Sequence, residues 1–207
     1  DVVSTVPSPD GLDELPNIGW QTLSSPAEFK PALDLLAKTS PCRWLIEIPA
    51  GAKPDILYLW RLSREATLFP EAAAFFVDDD CSDEAGNRHT PRFKPGTNPA
   101  YLQGMDLAGP LCVRKEAWTA SGGGGEFGSS PWFSQLLRLA TTFGWPSIKH
   151  IPDQLITYAE SFPSDINACL LALIEYQKNR GVAAELVHAT AQSWNTRGLF
   201  DQLPPVT

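Results

Sequence analysis

Phe75-Phe76-Val77-Asp78-Asp79-Asp80 decides how this chain is read: a short apolar strand that runs straight into three consecutive acids. A polar loop follows at 81–90, then Pro91-Arg92-Phe93-Lys94-Pro95-Gly96, then a second apolar strand, Leu111-Cys112-Val113, that enters Arg114 and Lys115. Upstream, residues 43–48 read as a strand, Pro49-Ala50-Gly51 as a turn, and residues 54–69 as a helix whose Leu- and Trp-rich pattern stops before Pro70. Strand 43–48, helix 54–69 and strand 73–77 compose a βαβ unit, so the two strands are expected to be parallel with the helix crossing over. That order places Asp78, Asp79 and Asp80 at a strand's carboxyl end, where open α/β sheets receive their ligands. Two readings stand level: the acids hold a metal or a sugar hydroxyl, or they form a solvated acidic turn together with Asp83 and Glu84.

Composition narrows the function classes. A chain of 207 residues has room for one domain with a sizeable core, and 43% hydrophobic residues with seven Trp exclude a disordered chain. The net charge of -8 argues against a nucleic-acid partner, because no basic excess is present to neutralise phosphates. No apolar run approaches the roughly 20 residues that span a bilayer, and residues 1–20 lack the basic start and apolar stretch of a signal peptide; both features lead us to expect a cytoplasmic protein. Cys42, Cys81, Cys112 and Cys169 are scattered without a Cys-x-x-Cys pair and read as reduced thiols.

Further outward, residues 2–6 and 18–23 read as short strands separated by a stretch broken by Pro7, Pro9, Gly11 and Pro16. Ser25-Pro26-Ala27-Glu28 forms a capping box that opens a helix to about Thr39, with Phe29, Ala32, Leu33, Leu36 and Ala37 on one face. The four glycines at 122–125 are not followed by Lys-Ser or Lys-Thr, so they read as a mobile loop and not as a phosphate cradle. Ser130-Pro131 opens a helix with Phe133, Leu136, Leu137 and Ala140 on its apolar face, closing near Gly144. His150-Ile151-Pro152 leads to a strand at 155–158. Ser164 caps a helix with Ile166, Cys169, Leu170, Leu173 and Ile174 on one face, stopping at Gly181. Residues 184–189 read as a last strand and 192–207 as extended chain.

The order of parts around Asp78 resembles the bacterial glycosyltransferase family 2, of GT-A fold, over roughly residues 43–207. There, a strand ending in a Ser-Asp-Glu-Asp-like run precedes a Pro-x-Phe-Lys-Pro segment and then a strand entering an Arg-Arg or Arg-Lys pair. The resemblance implies an α/β domain, with a mixed and mainly parallel sheet flanked by helices, spanning residues 1–207. Its parts would be a reduced N-terminal portion (1–42), a central sheet and motif region (43–160), and a C-terminal helix and strands (161–207).

The family's sugar transfer needs three stations. An Asp-x-Asp-like run holds Mg²⁺ or Mn²⁺ against the diphosphate, offsetting the charge on the leaving group. The matching residues 46–51 carry only Glu47. A carboxylate base opens the helix that ends in Leu-Arg-Leu; registering on Leu137-Arg138-Leu139 puts Pro131, Trp132, Phe133 and Ser134 there, and leaves Glu126 in the preceding loop as the substitute. A distal His stretch is matched at His150-Ile151-Pro152, but its second His falls on Thr157. Only 46 residues precede Glu47, fewer than the family's nucleotide-binding half uses.

The resemblance therefore implies a domain that keeps the GT-A scaffold without the reaction and needs no cofactor. It would serve as scaffold or acceptor-binding module in bacterial glycan or surface-polysaccharide assembly. Leu203-Pro204-Pro205-Val206-Thr207 looks like the lead-in to a following glycosyltransferase domain of the same polypeptide. The rival expectation is an active metal-dependent transferase of nucleotide sugars, with Asp78 and Asp80 on Mn²⁺ or Mg²⁺ and Glu126 as base. Asp79, Trp118, Trp132 and His150 would be the ligand contacts, the two Trp residues stacking on a sugar ring beside the glycine loop.

Overall fold

A computed structural model describes residues 2–4, 20–25, 28–49, 51–99, 101, 108–123, 131–159, 166–181, 185–189 and 194–197. Its strands are β1 (Val2–Ser4), β2 (Trp20–Thr22), β3 (Trp44–Ile46), β4 (Lys53–Pro54), β5 (Ala74–Ser82), β6 (Arg88–Arg92), β7 (Cys112–Arg114), β8 (Ile148–Ala159), β9 (Glu185–Ala189) and β10 (Trp194–Arg197). The helices are α1 (Phe29–Thr39), α2 (Tyr58–Leu68), α3 (Lys115–Ala120), α4 (Pro131–Phe143) and α5 (Ile166–Asn179), with a 3₁₀ turn at Trp145–Ser147.

The main sheet has the order β3-β7-β5-β8-β4, with β6 also paired to β5. It is a mixed α/β sheet, but the expectation of mainly parallel strands is corrected: only β5 and β8 pair in parallel, and every other pair of this sheet is antiparallel. β3 and β5 do run the same way, as the βαβ reading requires, yet β7 lies between them and antiparallel to both. A parallel neighbour requires a long crossover. The tight turn at 83–87 instead returns β6 directly onto β5.

Side chains alternate across a strand, and β5 uses both directions. All nine of its residues are buried. Phe76 points into a core with Phe133, Leu136 and Leu139 of α4, Cys169 and Leu173 of α5, and Leu33 of α1. Phe75 and Val77 point the other way, into a core with Tyr58 and Leu62 of α2. Helices thus cover both faces, which is why this strand reads as a continuous apolar run before its acids. Phe133 and Leu136 are fully buried, each contributing about 1.5–3 kcal/mol of transfer free energy.

Helical periodicity located α4 with its expected apolar residues. In α5 the buried stripe is Cys169, Leu173 and Tyr176, at i, i+4 and i+7, so Ile174 is 50% exposed instead of packing inward. α1 starts at Phe29, and the expected capping box is displaced: Glu28 accepts the backbone N–H of Ser24, while Ser25 contributes its carbonyl to the N–H of Glu28. α2 begins four residues later than expected because Lys53 and Pro54 pair with Thr157 and Ile156 as an edge strand. An edge tolerates the missing proline N–H, and Asp55 Oδ1 then accepts from Leu57 N at 2.9 Å, an Asx turn that leads into α2.

The strand expected at 155–158 extends from Ile148 to Ala159. Its register on β5 jumps from Val77↔Ile151 to Asp78↔Gln154, leaving Pro152 and Asp153 in a bulge, where proline's missing donor breaks no ladder bond. β9 and β10 form a separate antiparallel pair, and β1 and β2 a parallel one. No helix among the described residues is long and apolar enough to cross a membrane.

Candidate functional site

The acid run lies inside β5 and not beyond its end, and all three carboxylates are buried. Burying a carboxylate without a partner is prohibitively costly, so the question is what each one meets. Asp78 Oδ1 lies 2.7 Å from His150 Nε2 and accepts the backbone N–H of Lys94 at 2.9 Å. His150 is stacked on Phe76, ring centroids 4.9 Å apart, which holds the imidazole toward Asp78. Asp79 receives a bidentate grip from Arg92, Nε at 2.6 Å and Nη2 at 2.8 Å, and Lys94 Nζ at 2.7 Å. Asp80 Oδ2 accepts from Arg88 Nε at 2.5 Å, while its Oδ1 is buried with no hydrogen-bond partner among the described residues.

Lys94 is the centre of this arrangement. Its ammonium donates to Asp79, to the carbonyl of Val77 at 2.5 Å and to the carbonyl of Ala108 at 3.0 Å, which uses all three N–H bonds. Burial pushes its pKa down to about 8, with the Asp79 carboxylate opposing. Gly109 closes over the pair: a Cβ there would stand 3.3 Å from Asp79 Oδ2 and 3.6 Å from Lys94 Nζ.

Sequence reading singled out the acids and His150 but not their cations. The signal was present in the spacing. A hairpin turning at Gly86-Asn87 folds β6 back onto β5 and sets Arg92 opposite Asp79, and the Pro-Arg-Phe-Lys-Pro run then supplies Lys94. Phe93, between the two cations and just past the end of β6, is 72% exposed.

The remaining candidates are placed elsewhere. Arg114 and Lys115 serve the fold: Arg114 pairs with Glu71 at 3.4 Å and Lys115 donates to the carbonyl of Ser40 at 2.9 Å. Trp118 and Trp132 are 3% and 8% exposed, so neither ring offers a free face for stacking on a sugar. Trp118 Nε1 donates to Asp34 Oδ1 at 3.0 Å, beside Gly123. Both indoles line a cavity of about 10 Å³ together with Glu47 and Gln135, room for about one water molecule. Burial lifts the pKa of Glu47 to about 7, with the neighbouring Trp132 indole pulling the other way. Trp132 Nε1 makes no hydrogen bond of standard geometry among the described residues. Glu126, with Gly124 and Gly125, lies outside the described residues, as do Ser130, Ser164 and residues 198–207.

Chemically, the arrangement on β5 neutralises charge inside the protein. Asp79 faces Arg92 and the buried Lys94, Asp80 the half-exposed Arg88 and Asp78 His150, and no group of three or more His, Cys, Asp or Glu among the described residues is arranged to hold a metal ion. No family model matches the chain, and no curated protein is similar to it.

Proposed function

We propose that this chain is a glycosyltransferase-like module of GT-A type that has given up transfer chemistry. It acts in the bacterial cytoplasm as scaffold or acceptor-binding module for a following glycosyltransferase domain of the same polypeptide. The observation that carries this reading is the engagement of Asp79 by both Arg92 and Lys94, flanked by the Asp78–His150 and Asp80–Arg88 pairs. A carboxylate that already neutralises a buried cation is a poor metal ligand, because Mn²⁺ on Asp79 would strand Lys94 unpaired in the core. At the position matching the family's metal station, the one acid is Glu47, and its burial favours the neutral form.

One observation favours the active alternative: Asp80 Oδ1 is an oxygen without a hydrogen-bond partner among the described residues, beside an Arg88 whose side chain is 48% exposed. Calorimetric titration with UDP, GDP and a panel of sugar nucleotides, with and without Mn²⁺, separates the two readings. The scaffold reading expects no metal-dependent heat. Binding strengthened by Mn²⁺ and lost in Asp80→Ala would replace it with the active transferase.

A further inference from the structure

α2 packs on the sheet through Tyr58 and Leu62 but leaves a groove of about 520 Å³ between itself and β3. That volume lies within the range of small-molecule sites, whereas the cavity at Glu47 admits only water. Trp44 and Ile46 of β3 and Cys112 of β7 make the floor, and Leu59, Leu62 and Ala66 make one wall. Those three wall residues recur at i, i+3 and i+7, so the apolar wall runs along the helix for about 10 Å at 1.5 Å per residue. A slot of this shape fits an extended hydrocarbon chain.

The slot ends at a cationic mouth. Among the described residues, Arg43 is the one charged residue lining it, and its Nη2 donates to the carbonyl of Pro70 at 2.8 Å. Arg114 Nη1 reaches the same carbonyl at 3.5 Å but is paired with Glu71 at 3.4 Å, so Arg43 is the guanidinium at this end of α2 with no acid partner among the described residues. The single bond to Pro70 leaves most of the five donors of Arg43 available, in a fork that suits carboxylate or phosphate.

We infer that the α2–β3 groove binds one single-chain amphiphile, its hydrocarbon lying along Leu59, Leu62 and Ala66 and its anionic carboxylate or phosphate head at Arg43. The net charge of -8 repels anions in general, so any preference for an anionic head must come from Arg43 at the mouth of the groove.

The test is titration calorimetry of the whole chain with dodecanoate, dodecyl phosphate, dodecanol and dodecyltrimethylammonium, all below their micelle concentrations. One-to-one saturable binding of dodecanoate or dodecyl phosphate is expected, and the relative strength of the two identifies the head group. Dodecanol should bind about fivefold more weakly and the cationic amphiphile not at all. Arg43→Gln should bring the anionic ligands down to the dodecanol level. Ser63→Trp, at an exposed position on the groove wall, should abolish binding with the far-UV circular dichroism unchanged. Ile56→Asp should change nothing, since Ile56 is 95% exposed outside the groove. Absence of saturable binding, equal binding of the cationic amphiphile, or loss in Ile56→Asp with Ser63→Trp unaffected would each overturn the proposal, the last by showing adsorption at the exposed turn before α2.

Discussion

Lys94 Nζ lies 2.7 Å from Asp79 Oδ2 with both side chains 1% exposed, and the pair joins the segment after β6 to the middle of β5. A buried ion pair adds little net stability over an apolar replacement, but breaking one by removing a single partner leaves an uncompensated charge. The position of this pair, between the two cores on either side of β5, makes its integrity a condition for the fold.

Asp79→Asn is therefore expected to destabilise the chain by about 3–5 kcal/mol, because Arg92 and Lys94 lose their common counter-charge. Glu71→Ala, which removes an acid whose side chain is 89% exposed from its 3.4 Å pair with Arg114, should cost less than about 1 kcal/mol. Urea denaturation of both variants checks the contrast. Similar midpoints for the two would show that burial does not separate these pairs energetically.

Gly109 sits at φ +62°, and a Cβ there would come 3.0 Å from the Tyr158 hydroxyl as well as close to Asp79. Both the backbone angle and the space select glycine. Gly109→Ala should cost about 1–3 kcal/mol, read as a lower urea midpoint at an unchanged slope. An unchanged midpoint would mean that the Asp79–Lys94 pair has slack to move.

How much of this was legible beforehand depends on the range of the interaction. α1, α2 and α4 follow from 3.6-residue periodicity, a local property, and β5 from its apolar run. β4 was hidden because Lys53 and Pro54 carry no strand propensity; only the open edge of β8 makes a strand of them. The role of the acids was hidden for a related reason. Three aspartates after a strand look solvent-facing until the hairpin register puts Arg92 against Asp79 and the pairing of His150 with Phe76 brings its imidazole to Asp78, two residues on along the same face. Likewise, the burial of Trp118 and Trp132 depends on α1 and α4 closing over β3 and β7, which no local pattern encodes.

Metal should leave the molecule unchanged if the acids serve the fold. Millimolar Mn²⁺ or Mg²⁺ is expected to shift the thermal midpoint by less than about 1 °C, since a ligand stabilises only in proportion to its occupancy of the native state. Differential scanning calorimetry with and without each ion checks this. A rise of several degrees, absent in Asp78→Ala, would identify a metal site at β5.

Glu47 supplies a pH signature of its own. Its pKa of about 7 stands above the ordinary 4.5, so the folded state retains a proton that the unfolded chain releases between these values. The stability tied to the neutral carboxyl is complete below pH 4.5 and is lost as pH rises through 7. Glu47→Gln keeps the neutral shape at every pH, so it should match the wild type near pH 4.5 and exceed it at pH 8. Solvent reaching the half-buried carboxyl trims the effect to about 1–2 kcal/mol, equivalent to a rise of roughly 2–8 °C in the thermal midpoint. Melting curves of both proteins at pH 4.5, 6, 7 and 8 measure the difference directly. A gap that stays constant across that range would assign the stability change to packing against Trp132 and not to the charge on Glu47.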